Sequence, residues 1–302
     1  MQGCKTRASW KRRKIRGFDG QLMKKLVYSA IFTRHLLPQV RRFCIVWGAL
    51  IVLSPTAIAA GFAPHTAHYA MKLLSARSSS NIESVTGDML VRWEGDCSGW
   101  TMSNRTIFNV GYTGGEAVRV TMDATTWEAI DGDRYTFLVR TLFNDKESER
   151  IEGTAHIAKN GRVADFVSPA KKRVVLPPGT IFPTRHTEQV LGVAGDRPQI
   201  VRATVFDGFT DCGAQFVNAI VGGRIAAKPG AATPFPELKA QPSWTVNLAF
   251  FPVDKQDAEP ESEISVKIFA NGIAGLMDMG FGDFRVSGKL KNLETARLPV
   301  CK

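Results

Sequence analysis

The chain has 302 residues, with 39 Lys or Arg against 28 Asp or Glu and a formal charge of +11, a balance that on its own points to nucleic acid or an anionic surface. The distribution removes that reading, because residues 1–60 hold 12 of the basic residues and a single acid, Asp19, and leave 27 of each sign in the rest. A neutral body without a basic stripe interleaved with aromatics argues against nucleic acid.

The basic lead ends at Arg41 and Arg42, followed by the apolar run FCIVWGALIVL over 43–53, then Ser54-Pro55 and TAIAA, in which Ala57-Ile58-Ala59 supplies an A-x-A pattern. This is the build of a secretory signal. The apolar run is well short of the roughly 18 to 20 residues that cross a bilayer as a helix. The expectation is a signal peptide and basic leader over 1–60, started at Met1 or Met23 and cleaved near Ala59 or Ala60. It is followed by a single domain over 61–302 with no transmembrane span in the mature chain. Cleavage there discards Cys4 and Cys44 and leaves Cys97, Cys212 and Cys301. In an oxidising space two of the three pair and one is left over, and counting does not choose among the pairings.

Beyond the leader, apolar residues recur with period two. Val118, Val120, Met122 and Ala124 share one face, and so do Tyr135, Phe137, Val139 and Phe143. The same holds for Trp244, Val246, Leu248 and Phe250, for Ile264, Val266, Ile268 and Ala270, and for Phe284, Val286 and Leu290. Each run is a half-buried strand. Gly114-Gly115, Asp131-Gly132, Asn160-Gly161 and Asn271-Gly272 supply turn residues that tolerate positive φ between them. Hairpins in series with one wet face per strand predict an all-β fold, antiparallel strands curled into a spiral or open barrel. One segment departs from this: PTRHTEQVLGVAG, from Pro183, reads as a short helix with Thr184 as N-cap, Val190, Leu191 and Ala194 as its apolar side and Gly195 as its stop. It should lie across the sheet or plug one end. Two stretches, from Ala226 and from Asp254, read as surface connections.

No catalytic or metal constellation emerges. Cys97 lacks a base nearby in sequence, no G-x-S-x-G elbow is present, and a reactive thiol in an oxidising space is at risk of capture. His65 and His68 are three apart on a strand and point to opposite faces, His156 stands alone in another strand, and His186 falls on the helix as a packing or capping imidazole. GVAGDRP, from Gly192, lacks the lysine and spacing of a P-loop. Lys171-Lys172-Arg173 reads as a solvated strand end. Paired carboxylates across a sheet cavity can hydrolyse a sugar polymer, but sequence brings no two together.

Several blocks in one order carry a resemblance: FAPHTAHY with LLSARSSS, EGDCSGW, LPPGTIFPTRHTEQVL, EISVKIFANGIA, GFGDFRVSGKLKNLE and ARLPVCK. From about Phe62 to Cys301 the chain resembles the EipB-like cell-envelope integrity proteins, which are periplasmic proteins of Gram-negative alphaproteobacteria. The resemblance implies a spiral of consecutive antiparallel strands and a disulfide joining Cys97 to Cys301, with Cys212 as the odd cysteine. It also marks a motif in the helix and the loop before it, at Pro178, Gly179, Thr180, Phe182, Pro183, Thr184 and His186. The implied function is a non-enzymatic periplasmic factor, without cofactor or metal, that supports envelope integrity by binding an envelope protein, a lipid or a glycan. Two alternatives stay open, a lipid or lipoprotein carrier of the lipoprotein-localisation type and a hydrolase of envelope polymers.

Overall fold

The computed structural model describes residues 62–159, 161–227, 233–254 and 259–301. The expected signal peptide, its cleavage near Ala59 or Ala60, Cys4, Cys44, Asn160 and parts of both expected connections lie outside the described residues.

The first eight strands are β1 (His65–Ala76), β2 (Ile82–Gly95), β3 (Gly99–Tyr112), β4 (Val118–Ala129), β5 (Arg134–Phe143), β6 (Lys146–Ala158), β7 (Gly161–Ser168) and β8 (Lys172–Leu176). A helix, α1 (Pro183–Gly192), separates them from β9 (Gln199–Val205), β10 (Gln215–Val221), β11 (Ser243–Pro252), β12 (Ser262–Phe269), β13 (Ala274–Gly280) and β14 (Phe284–Thr295). All fourteen belong to one antiparallel sheet ordered β8-β7-β6-β5-β4-β3-β2-β1-β14-β13-β12-β11-β10-β9. Two meanders of neighbouring hairpins are thus joined at their inner ends by the pairing of β1 with β14, from His65 opposite Thr295 to Ala76 opposite Phe284. The hairpins turn where glycine supplies positive φ, at Gly114, Gly132, Gly161 and Gly272, and also at Asn144-Asp145, both with positive φ and not foreseen as a turn.

The sheet curls but does not close. Its outer strands, β8 and β9, do not pair with each other. Ile181, in the loop after β8, forms a parallel bridge with Val205 at the end of β9: the Ile181 N–H donates to Thr204 O at 2.9 Å and the Phe206 N–H to Ile181 O at 3.0 Å.

Three stretches of the inner face are packed against segments of the chain's own connections. Under β5–β8, Phe206 and Phe209 of the loop after β9 join Tyr135, Phe137, Ile151 and Phe166. Under β10–β12, Val190, Leu191 and Ala194 of the helix region meet Val221, Trp244, Val246 and Ile268. Under β1–β3 and β14, Leu238 and Ile273 pack with Tyr69, Met71, Val85 and Phe108. Leu238 belongs to a short 3₁₀ turn, Pro236–Leu238, inside the stretch expected to be a surface connection. It is buried because a widely curled sheet leaves an interior that its own side chains do not reach across. The helix forms where predicted, with two corrections. It ends at Gly192, not at Gly195, and its N-cap position is Phe182, not Thr184. Gly195 instead offers its carbonyl to the Trp244 indole N–H at 3.0 Å, which fixes the helix exit against β11.

Candidate functional site

Two local constructions fix the shape of the curled sheet. The first is the corner between β2 and β3. Asp96 Oδ1 accepts the Ser98 hydroxyl at 2.7 Å, the Ser98 N–H at 2.7 Å and the Gly99 N–H at 2.9 Å. These donors, the hydroxyl first, hold the Asp96 carboxyl below its ordinary range. The turn presents Cys97 to the tail that follows β14. The Ala296 N–H donates to Pro64 O at 2.8 Å, and Leu298 lies so close over Gly95 that a Cβ there would come within 2.6 Å of Leu298 Cδ2 and 2.8 Å of the Trp100 ring. Only glycine admits that approach. The tail ends in a disulfide between Cys97 and Cys301, Cα to Cα 5.5 Å, the pairing that the resemblance implied. Cys212 is half-buried in the turn before β10 and has a partner of its own.

The second construction holds the helix. Pro178 and Gly179 occupy the centre of a tight turn in which the Thr180 N–H and hydroxyl both donate to Pro177 O, at 3.2 and 2.7 Å. Gly179 has φ +77°, which a type II turn with proline before it requires. The turn sets Ile181 onto β9 and sends Phe182 inward. Phe182 stacks on Tyr135 with ring centroids 4.9 Å apart, and the Arg162 guanidinium lies over its other neighbourhood at 5.1 Å from the ring centroid. Tyr135 is fully buried and donates its hydroxyl to Asp207 O at 2.9 Å.

Phe182 has no side-chain oxygen to cap the helix, and Pro183 at the first helical position has no N–H to satisfy. The cap comes from across the interior. Glu128 of β4 accepts the Thr184 N–H on Oε2 at 2.7 Å and the Arg185 N–H on Oε1 at 3.0 Å. A carboxylate facing the positive end of a helix is well placed, yet Glu128 is only 4 % exposed. Burial therefore raises its pKa, against the lowering effect of the Thr184 and Arg185 donors. Glu128→Ala would leave two helix N–H groups unsatisfied. It should cost about 2 kcal/mol in urea unfolding at pH 7, and Glu128→Gln, which keeps an acceptor, less than that.

A cleft of about 410 Å³ opens beside this clasp, lined among others by Trp100, Glu128, Ile130, Arg162, Phe182 and Arg185. Ile130 stands 65 % exposed at its rim. Of the motif residues, Phe182 and Thr184 reach the cleft, while Pro178, Gly179 and Thr180 form the turn behind it. His186 does not line it. It is buried, its Nε2 has no hydrogen-bond partner among the described residues, and burial lowers its pKa to about 4. Glu128 was legible in sequence only as a parity signal: it continues the inward series Val120, Met122, Ala124, where a charge is out of place.

The other histidines are spread apart. His65 is buried with Nδ1 2.7 Å from Ala63 O, His68 Nε2 lies 2.8 Å from Asp88, and His156 lies 3.8 Å from Asp165. No group of three or more potential metal ligands occurs among the described residues, and none of their helices is long and apolar enough to cross a membrane.

The chain is 29 % identical over 253 residues to the cell envelope integrity protein EipB of Brucella abortus, covering 82 % of this chain and 90 % of that one. It also matches the crystal structure of a β-barrel-like protein of a domain of unknown function from Brucella abortus, at TM-score 0.72 and 28 % identity, over 78 % of this chain and 99 % of that one. Residues 56–297 match the EipB-like family along nearly the whole curled sheet, and the chain belongs to that family.

Proposed function

We propose that this protein supports the integrity of the cell envelope from the periplasm, without catalysis, by binding another envelope component through the outer surface and edges of its sheet. The role is the one its Brucella relative is named for. The observation that carries the binding mode is the interior: three stretches of the inner face are packed by the chain's own inserts, which directs recognition to the outside. The acid and imidazole best placed for hydrolysis have structural tasks. Glu128 spends both oxygens on the helix terminus, and His186 is buried with no partner for its Nε2 among the described residues.

A test is a deletion strain challenged with detergent and chelator. The exported chain should restore resistance, and a version lacking residues 1–60 should not; restoration by the unexported version would overturn the compartment.

The carrier reading has one observation in its favour. Leu248, Ile264 and Met279 form a continuous inward row across β11, β12 and β13 and are only partly buried. Mass spectrometry of an organic extract of the purified protein decides between the two. The proposal expects no stoichiometric lipid, and a recovered phospholipid or acyl chain at one per protein would favour a carrier.

A further inference from the structure

The two free edges of the sheet are not alike. The β8 edge is five residues long, flanked by Pro169 on one side and Pro177-Pro178 on the other, and begins Lys172-Arg173 just after Lys171. Short length, proline and basic side chains are how sheets blunt an edge against further pairing. The β9 edge carries less of this protection. Its inner side is paired with β10 along its whole length, Gln199 opposite Val221 to Val205 opposite Gln215. On the other side Ile181 takes only the end of the strand, through Thr204 O and the Phe206 N–H.

Those two bonds fix the phase of the edge. Backbone groups alternate sides along a strand, so with Thr204 O turned outward, the N–H and C=O of Arg202 and of Ile200 are turned outward too. No hydrogen bond engages them on that side among the described residues. Four backbone groups in strand spacing are therefore without a hydrogen-bond partner among the described residues at this edge.

The side chains beside this edge indicate what fits it. Ile200 lies opposite Ile220 on the outer face, and they are 56 % and 49 % exposed, a small apolar platform for a β-branched side chain. Arg202 is exposed, its cross-strand neighbour is Asn218, and it has no ion pair among the described residues. A second copy of this chain is a poor occupant. Two β9 edges in antiparallel register bring the two Arg202 side chains opposite or diagonal to each other, where like charges repel.

We propose that the β9 edge from Gln199 to Ala203 accepts an extended acidic segment of another protein as one further strand. Its backbone bonds to Ile200 and Arg202, a carboxylate faces Arg202, and an apolar side chain rests on Ile200 and Ile220. Strand addition of this kind draws affinity from the main chain and specificity from alternate side chains. The site rests on the binding role proposed above and names its partner chemistry.

The test uses the full exported chain with its disulfide intact and a fluorescein-labelled, end-capped heptapeptide, Val-Thr-Glu-Thr-Val-Thr-Glu, in which valine and glutamate take turns along one face. Saturable binding by anisotropy is expected, with slowed amide hydrogen exchange at Ile200 and Arg202. Arg202→Glu should weaken binding at least tenfold while circular dichroism stays unchanged. N-methylating alternate peptide amides should abolish binding for one set of positions and spare it for the other, which a purely electrostatic contact would not do. Equal binding by both methylated sets, protection at β8 in place of β9, no binding, or sedimentation as a dimer through β9 would each overturn the site. The deletion-strain assay is read separately. If Arg202→Glu loses the peptide yet restores detergent resistance, the envelope role stands and this edge is not its means.

Discussion

Reducing the Cys97–Cys301 bond, or replacing both residues by serine, is expected to lower the unfolding free energy by roughly 3 to 5 kcal/mol, the largest single effect in the molecule. The bond closes a loop with a sequence separation of 204. A chain-entropy estimate for that length gives roughly 5 kcal/mol, and residual structure in the unfolded chain reduces it. Against a typical domain stability of about 5 to 15 kcal/mol this decides whether the fold persists at 37 °C. The loss should be local in origin. The tail after β14 is fixed by the Ala296–Pro64 bond and by Leu298 on Gly95, so hydrogen exchange in the reduced protein should speed up first along residues 296–301 and at the Asp96–Gly99 turn. Urea unfolding of oxidised and reduced protein side by side checks the magnitude. A difference under about 1 kcal/mol would mean that packing alone holds the corner.

His186 sets the second large effect, and it depends on pH. Its folded pKa lies near 4 against an ordinary 6.5, because burial disfavours the imidazolium. A group depressed in the fold contributes stability that is fully present above 6.5 and lost as pH falls from there toward 4. The drop across that window is about 3 kcal/mol. Glu128 acts in the opposite sense. Its pKa is raised, so the fold favours its neutral form, and protonation there gains stability as the pH falls. Stability profiles of the wild type and His186→Leu separate the two, since Glu128 is common to both. The variant should lose the acid-linked drop while staying within about 1 kcal/mol of wild type at pH 7, because the Nε2 atom it removes had no partner to lose. Wild-type and His186→Leu profiles that run parallel between pH 6.5 and 4 would show that His186 opens to solvent before it charges.

Much of the fold was legible in the sequence because its main determinant is local. The inward series Tyr135, Phe137, Val139 and Trp244, Val246 are buried as their alternation predicted. Gly132 and Gly272 take positive φ at the turns where they were expected. What failed was long-range. Thr184 has the chemistry of an N-cap, but the helix enters the interior, where a carboxylate 56 residues earlier in the chain meets its first turn. Leu238 sits in a stretch whose Pro, Ala and Gly content reads as surface connection, and it is buried because an interior wider than its own side chains must be filled. The cleft beside the clasp gathers Trp100, Arg162 and Phe182 from three separate segments, and no spacing in the chain announces that. The residues of the motif from Pro178 to His186 divide between turn, cleft and buried helix face.

The pairing of β1 with β14 at the middle of the sheet governs when folding can finish. A chain synthesised from its N-terminus delivers β1 first and β14 last, so the central strand waits half-paired until the final stretch arrives. Contacts this distant in sequence make assembly slow and expose the intermediate to misassociation. A product truncated before Phe284 would keep all the strands of the first meander yet present β1 as a bare, sticky border, so synthesis cut short yields a target for degradation and not a smaller working protein.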